Sequence, residues 1–200
     1  MARIDNETEL RALFQSIPHI ETERLILRPF HPDDAKDVFE YASIPEASIY
    51  VTWEPHTSEI DSLAFINVSM QSYIKGDAPT WAIVLKESNK VIGAIHYAYI
   101  NLLHKRCELG YSLSPHYWNK GLTTEATRKF IDFTFSSIDV YRIEARAVPQ
   151  NIGSWRVMEK CGLELEGISR AYVYYKGKTH DYKLYAITRY DWEQAKPNNS

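Results

Sequence analysis

The stretch Glu108-Leu-Gly-Tyr-Ser-Leu-Ser-Pro115-His-Tyr-Trp-Asn-Lys-Gly121-Leu-Thr-Thr-Glu-Ala126 decides how this chain folds. Cys107, Leu109, Tyr111 and Leu113 alternate with Arg106, Glu108, Gly110 and Ser112, the period of two that marks a strand with one face buried. Pro115 ends the strand because it has no N–H to give to a ladder. Gly121 supplies a backbone conformation closed to most other residues. Thr123 or Thr124 is then expected to cap a helix whose apolar positions are Leu122, Ala126, Phe130 and Phe133. A strand that hands a glycine-containing loop to a helix start makes an anion site, because the free N–H groups and the helix dipole point at one spot. Glu108 lies on the strand leading into it. The combination points to a phosphate-bearing ligand beside an acid–base residue.

Working outward, residues 5–16 carry Leu10, Leu13, Phe14 and Ile17 as an apolar stripe and predict a short helix. Residues 22–30 read as a strand. His31-Pro32-Asp33-Asp34 is a helix start, with proline in the first turn and acids at the positive dipole end. A second helix opens near Thr57-Ser58-Glu59 and ends at Gly76. Residues 81–86 and 91–100 form a hairpin, and 106–114 pairs antiparallel with its second arm. The helix 123–137 follows, then a strand at 141–148, a helix capped by Asn151 and ending at Gly162, and a last hairpin of 167–175 with 180–188 across Lys176-Gly177-Lys178. This order predicts a mixed α/β fold: one mixed sheet with helices on both faces. No repeat, low-complexity tract or linker interrupts it. We expect a single domain over 1–200, with a core at about 20–189, an N-terminal extension at 1–19 and a frayed tail at 193–200.

Two hundred residues fit one domain with a well-buried core. The net charge of −3 gives no basic field that would call for nucleic acid or an acidic membrane. The two cysteines, Cys107 and Cys161, are too few for a secreted disulfide framework. The first residues, Met-Ala-Arg-Ile-Asp-Asn-Glu-Thr-Glu, lack the apolar centre of a targeting peptide. No apolar run approaches ~18–20 residues. A cytoplasmic protein with no membrane or nucleic-acid partner is expected. The seven histidines show no pair at metal-ligand spacing, so no metal is expected.

Several segments carry a resemblance: Thr22-Glu-Arg-Leu-Ile-Leu-Arg-Pro29, Glu108-Leu-Gly-Tyr111, Tyr117-Trp-Asn-Lys-Gly121, Thr124-Glu-Ala126 and Asn151-Ile-Gly-Ser154-Trp-Arg-Val-Met-Glu-Lys160-Cys-Gly162-Leu163, with Glu166-Gly167, Gly177 and Asp181 completing the set. In this order they resemble the GNAT superfamily of acetyl-CoA-dependent N-acetyltransferases, over about residues 20–189. Within it they look most like the branch named after the ribosomal-protein acetyltransferases RimJ and RimL. The resemblance implies a mostly antiparallel sheet splayed into a V between strands 106–114 and 141–148, with acetyl-CoA lying in the opening as co-substrate. It implies pyrophosphate on the loop Trp118, Asn119, Lys120, Gly121, Leu122, Thr123 and Thr124, and pantetheine amides along the exposed strand edge around Leu113 and against Asn151. It places Ser154 near the sulfur and Glu108 as the general base that frees the attacking amine, directly or through water.

The chain also departs from that pattern. The usual Gln/Arg-x-x-Gly-x-Gly/Ala loop reads Trp118-Asn-Lys-Gly121-Leu-Thr123 here and matches only at Gly121. The tyrosine that protonates the leaving thiolate in many members is replaced by Met158, and the catalytic glutamate of RimL-like members by Val173. Each site residue has a plainer reading too: Lys120 as a solvated lysine, Glu108 as the partner of Arg106 or another cation, and Asn151 and Ser154 as the start of a helix. Trp53 and His56, and some of Tyr172, Tyr174, Tyr175, Tyr182 and Tyr185, fall where an acceptor pocket could form, as do His96 and Tyr97, although packing accounts for most of them. The expected function is transfer of an acetyl group from acetyl-CoA to a primary amine, either a protein N-terminus or a small molecule, by direct attack in a ternary complex, with a homodimer possible. The rivals are a non-catalytic acyl-CoA sensor and a transferase using another acyl-CoA.

Overall fold

The computed structural model describes residues 3–195. Helix α1 (Glu7–Gln15) is capped by Asn6, whose side chain accepts from the Glu9 N–H. Strands β1 (Ile20–Glu21) and β2 (Leu25–Arg28) follow, then a 3₁₀ turn over Pro32–Asp34 that runs into α2 (Ala35–Ala42), α3 (Pro45–Ser48) and α4 (Glu59–Lys75). The expected stop at Gly76 is present, with φ +69° in the left-handed region. Next come β3 (Thr80–Leu85), β4 (Lys90–Asn101), β5 (Arg106–Leu113), α5 (Leu122–Ser137), β6 (Arg142–Ala147), α6 (Ile152–Lys160), β7 (Glu164–Tyr175), β8 (Lys178–Thr188) and α7 (Arg189–Gln194). Lys176 and Gly177 both take positive φ, 48° and 77°, which is the two-residue hairpin turn that matches the strand twist.

The strands form one sheet in the order β1-β2-β3-β4-β5-β6-β8-β7. Among the described residues every neighbouring pair is antiparallel except β5 with β6. Alternation along the strands divides the core in two. Trp81 and Ile83 point to the face covered by α1 and α5, with Phe14, Phe130 and Phe135. Ala82 and Val84 point to the other face, with Val38, Tyr41 and Ile66 of α2 and α4. Trp81 meets Phe130 edge-on at 5.0 Å between ring centres, and Tyr97 packs on Phe130 at 4.7 Å. Truncating the fully buried Phe130 to alanine would cost roughly 3–5 kcal/mol.

Several expectations need correction. Neither Thr123 nor Thr124 caps α5. The cap is Gly121, left-handed at φ +75°, and its carbonyl accepts the first helical bond from Glu125 at 3.0 Å. The helix therefore starts at Leu122, and both threonines lie in its first turn. Residues 22–30 hold only the four-residue β2, because Thr22 turns back onto Leu25 instead of extending. Within the expected extension, residues 3–19 contribute to the core: Leu10, Phe14 and Ile17 are buried, and Ile4 bridges to Ile138. Of the expected frayed tail, Glu193 and Gln194 belong to α7, which is anchored by the buried Trp192, while 196–200 lie outside the described residues. The short α3 and α7 were not expected; four and six residues leave too little periodicity to read.

Candidate active site

The parallel contact between β5 and β6 is short. Arg106–Leu109 pair with Arg142–Ala145, and the two strands then part. Beyond that point β5 still pairs with β4, and the Ser114 N–H donates to Ile92 O at 2.8 Å. Backbone groups alternate sides along a strand, so those of Leu113 and Tyr111 turn away from β4 and into the opening. Trp118 Nε1 donates to Leu113 O at 2.8 Å. The Leu113 carbonyl is thus already engaged, and its N–H faces the opening.

The loop that follows is shaped by two left-handed residues, Asn119 at φ 59° and Gly121 at φ 75°, either side of Lys120. Asparagine tolerates this conformation through its short polar side chain. The N–H groups of Leu122, Thr123 and Thr124 stand ahead of the first helical bond and open at the end of α5. A Cβ on Gly121 would find Arg24 Nη2 at 3.7 Å, but the positive φ alone strains any other residue there. The loop is clamped from below. Glu125 accepts from Thr22 Oγ1 at 2.5 Å, Arg24 N at 2.9 Å and Arg24 Nε at 2.7 Å, and Arg24 Nη1 donates to Lys120 O at 3.1 Å. The Lys120 ammonium lies over the Tyr117 ring, 5.0 Å from its centre. Trp118 is partly exposed.

Glu108 sits where β5 and β6 are still paired, directly opposite Glu144. Two carboxylates on adjacent strands repel each other, and Arg146 resolves this. One of its terminal nitrogens ion-pairs with Glu108 and the other meets Glu144 at 3.0 Å. Glu144, 2 % exposed, also accepts from Arg142 at 2.7 Å and from the Tyr99 hydroxyl at 2.9 Å. The cation that the sequence left open for Glu108 is thus Arg146.

At the start of α6, Asn151 caps the helix through its side chain, accepting from the Ser154 N–H at 3.2 Å. Ser154 Oγ donates to the Tyr111 hydroxyl at 3.3 Å, and that hydroxyl donates to Ser154 O at 2.8 Å. Burial pushes the Tyr111 phenol far above its usual pKa, with the serine bond opposing. Met158, one turn on, is buried in the same wall.

These groups share one cavity of about 550 Å³. Asn151, Ser154, Met158 and Tyr111 line it at the start of α6, together with Glu108, Arg146, His96, Trp53, His56, Phe65 and Tyr182, and with Tyr41, which bonds to Ser112 of β5. His56 Nδ1 lies 2.8 Å from Ser62 Oγ, and its partial burial lowers its pKa, with Asp61 opposing. His96 lies against Gly110, where a Cβ would come within 2.7 Å of its ring, and burial lowers its pKa as well. Of the late-hairpin tyrosines, Tyr182 lines the cavity. Tyr175 stacks on His180 at 3.8 Å, Tyr185 donates to Glu159 at 3.2 Å, and Tyr174 faces outward. Val173 sits beyond a bulge in β7 that begins past Ser169. The sequence reading counted Tyr111 among the buried strand residues; its reach to α6 follows from packing, and spacing carries no sign of it. The loop residues 118–124 lie outside the cavity lining, at the outer end of the opening. Among the described residues no helix is long and apolar enough to cross a membrane.

The family described as "Acetyltransferase (GNAT) domain" matches residues 24–164. The chain is 32% identical over 171 residues to an uncharacterised N-acetyltransferase, p20, of Bacillus licheniformis, covering 86% of this chain and 96% of that one. It is 26% identical over 180 residues to the [ribosomal protein uS5]-alanine N-acetyltransferase of Escherichia coli K12, covering 86% and 92%. The structure superposes with a TM-score of 0.76 on RimL, the ribosomal L7/L12 alpha-N-protein acetyltransferase in complex with coenzyme A, at 19% identity over 86% of this chain and 98% of that one. The splayed strands, the glycine-opened helix and the matched sequence together place the chain in the GNAT family of N-acetyltransferases, with ribosomal-protein acetyltransferases of the RimJ/RimL kind among its relatives.

Proposed function

We propose that this protein transfers an acetyl group from acetyl-CoA to a primary amine. The observation that carries this is one cavity that brings the start of α6, at the opening between β5 and β6, together with Glu108 and the aromatic side chains Tyr41, Trp53, Phe65 and Tyr182. Acetyl-CoA fits the donors present. The left-handed Gly121 and the N–H groups of residues 122–124 suit a pyrophosphate, with Trp118, Asn119 and Lys120 shaping the approach. The Leu113 N–H, facing the opening, suits an amide or the thioester carbonyl, where it would act as an oxyanion-hole donor. Asn151 can cap its helix and meet the pantetheine arm at once.

In this reading the amine enters past Trp53, His56 and Tyr182. Glu108 takes its proton, directly or through water, and Arg146 holds the carboxylate in place. Ser154 serves the departing sulfur. No serine–histidine or cysteine–histidine pair is needed, since an amine freed of its proton attacks a thioester unaided. The acceptor is a protein N-terminus or a small amine, the former supported by the uS5-alanine and L7/L12 relatives.

Two measurements test the proposal. At ~100 times its dissociation constant, a ligand bound only by the native state adds about 2.7 kcal/mol. For a domain of this size that is a rise in Tm of roughly 5–10 °C. A melt unchanged by acetyl-CoA would end the proposal. A panel of N-terminal peptides and small amines with acetyl-CoA and succinyl-CoA then identifies donor and acceptor. Tight binding with no turnover on any amine would make the protein a sensor instead.

A further inference from the structure

The GNAT pattern places a tyrosine on the helix after the asparagine cap, and this chain has Met158 there. The structure puts a different phenol in the same neighbourhood. Tyr111 reaches from β5 across the opening, and its hydroxyl lies 3.3 Å from Ser154 Oγ and 2.8 Å from Ser154 O, in the first turn of α6. Ser154 and Met158 are four residues apart and so share one helix face, and Tyr111, Ser154 and Met158 line the same cavity. The backbone of Tyr111 also faces the opening where the thioester is expected, so strand and side chain both belong to the reacting region.

We propose that Tyr111 is the group that protonates the departing thiolate, with Ser154 as the relay behind it. This rests on the acetyl-transfer reading above. The hydrogen bonds already run in the required direction. Ser154 Oγ donates into the phenol oxygen, and the phenol proton rests on a backbone carbonyl from which it can swing to sulfur. In the step itself the amine nitrogen forms a C–N bond with the thioester carbonyl carbon, and the C–S bond breaks with its electron pair going to sulfur. The phenol proton passes to that sulfur, Ser154 Oγ–H replaces it, and water restores the serine. Of the two protons shed by the ammonium nitrogen, both leave by way of Glu108. One is balanced by the proton delivered to sulfur, and one is released to solvent. Burial holds the phenol protonated but also weakens it as an acid, and the Ser154 hydrogen bond opposes that shift and eases the donation. The neighbouring titratable and charged groups are Cys161 from the end of α6, Glu108 from β5, and Arg146 from β6.

The test compares Tyr111→Phe, Ser154→Ala and the double variant, each first shown to melt cooperatively. Tyr111→Phe should lower kcat on the order of 10²-fold with KM for acetyl-CoA unchanged. Ser154→Ala should cost on the order of 10-fold, and the double variant no more than Tyr111→Phe alone, because the two act in series. A readout independent of turnover is binding. Wild type should prefer coenzyme A over desulfo-coenzyme A, and Tyr111→Phe should erase that preference. Wild-type kcat in a folded Tyr111→Phe variant, or a retained preference for the thiol, overturns the assignment. If the unaltered protein transfers no acetyl group at all, the functional reading falls and this inference falls with it; if wild type transfers and Tyr111→Phe matches it, only the tyrosine falls.

Discussion

The loop after β5 and the cavity beside it are made of different material. The loop and the strand edge ahead of it are largely backbone: the turned-out Leu113 and Tyr111 groups, the left-handed Asn119 and Gly121, and the first N–H groups of α5. The cavity wall is side chains drawn from scattered elements, with Tyr41 on α2, Trp53 and His56 before α4, and Tyr182 on β8. A wall of backbone keeps its chemistry when side chains change, which is how the loop departs from its family's spelling at Asn119 and Thr123 and still presents the same donors. A wall of side chains is remade by every substitution. On the acetyl-transfer reading, the loop can change its side chains and keep its donors, and the cavity wall cannot.

The largest effect is expected on the cavity side. Glu108→Gln keeps the shape of the side chain and removes the base, so turnover should fall by roughly 10²–10⁴-fold with acetyl-CoA affinity held. The loss should shrink at high pH, where more of the amine is already free. A pH–rate profile identical to wild type would move the proton to another group. Because the change also strips Arg146 of a partner, rates must be compared on protein with a normal melt.

Next is Gly121→Val. It forces a β-branched residue into φ +75° and tilts the donors away from their ligand, so the dissociation constant for acetyl-CoA should rise by about 10–100-fold, the worth of one or two lost hydrogen bonds. By contrast, Asn119→Gly with Thr123→Ala should bind acetyl-CoA within a few-fold of wild type. If that pair fails as badly as Gly121→Val, the loop depends on side chains after all.

Trp53→Ala should raise KM for the amine by about 10-fold and leave KM for acetyl-CoA alone, in line with losing part of one buried aromatic contact. Equal changes in both constants, measured by steady-state kinetics, would mean that loop and cavity are coupled.

The smallest effect is on stability. His96 and His56 are held neutral by burial, with folded pKa values below the ordinary 6.5. Below pH ~6.5 the unfolded chain takes up protons that the folded chain refuses, so stability is lost as pH falls through that point. The lowered carboxyls Glu125, Glu166 and Asp61 act in the same direction, but in a more acidic window below their ordinary values near 4. His96→Asn should shrink the loss in the upper window to the share left by His56 and leave the lower one, as read from Tm against pH.

How much of this was legible follows the same division. The loop and α5 could be read because glycine in a turn, proline at a strand end and a two-residue period are local signals. The cap was misplaced for a local reason too: threonine has the better capping side chain, but a left-handed glycine started the helix with its own carbonyl. The partner of Glu108 could not be read, because it depends on the parallel register that sets Glu108 beside Glu144 and brings Arg146 between them. Tyr111 was hidden by its own pattern. A tyrosine on the buried side of an amphipathic strand looks like packing, and only the position of α6 gives its hydroxyl a partner.

The strand order carries a consequence for where the chain can be cut. The match to the family ends at residue 164, while β8, formed by residues 178–188, lies directly against β6, and β7 is the outermost strand. At the other end, Phe14 and Ile17 enter the core from ahead of residue 24, where the match begins. The segment by which kinship is recognised is therefore not a self-sufficient piece. A fragment cut at those limits would bare one whole edge of β6 and open the core above α5. A piece of this chain able to fold alone would have to carry the residues ahead of 24 and beyond 164 along with the recognisable middle.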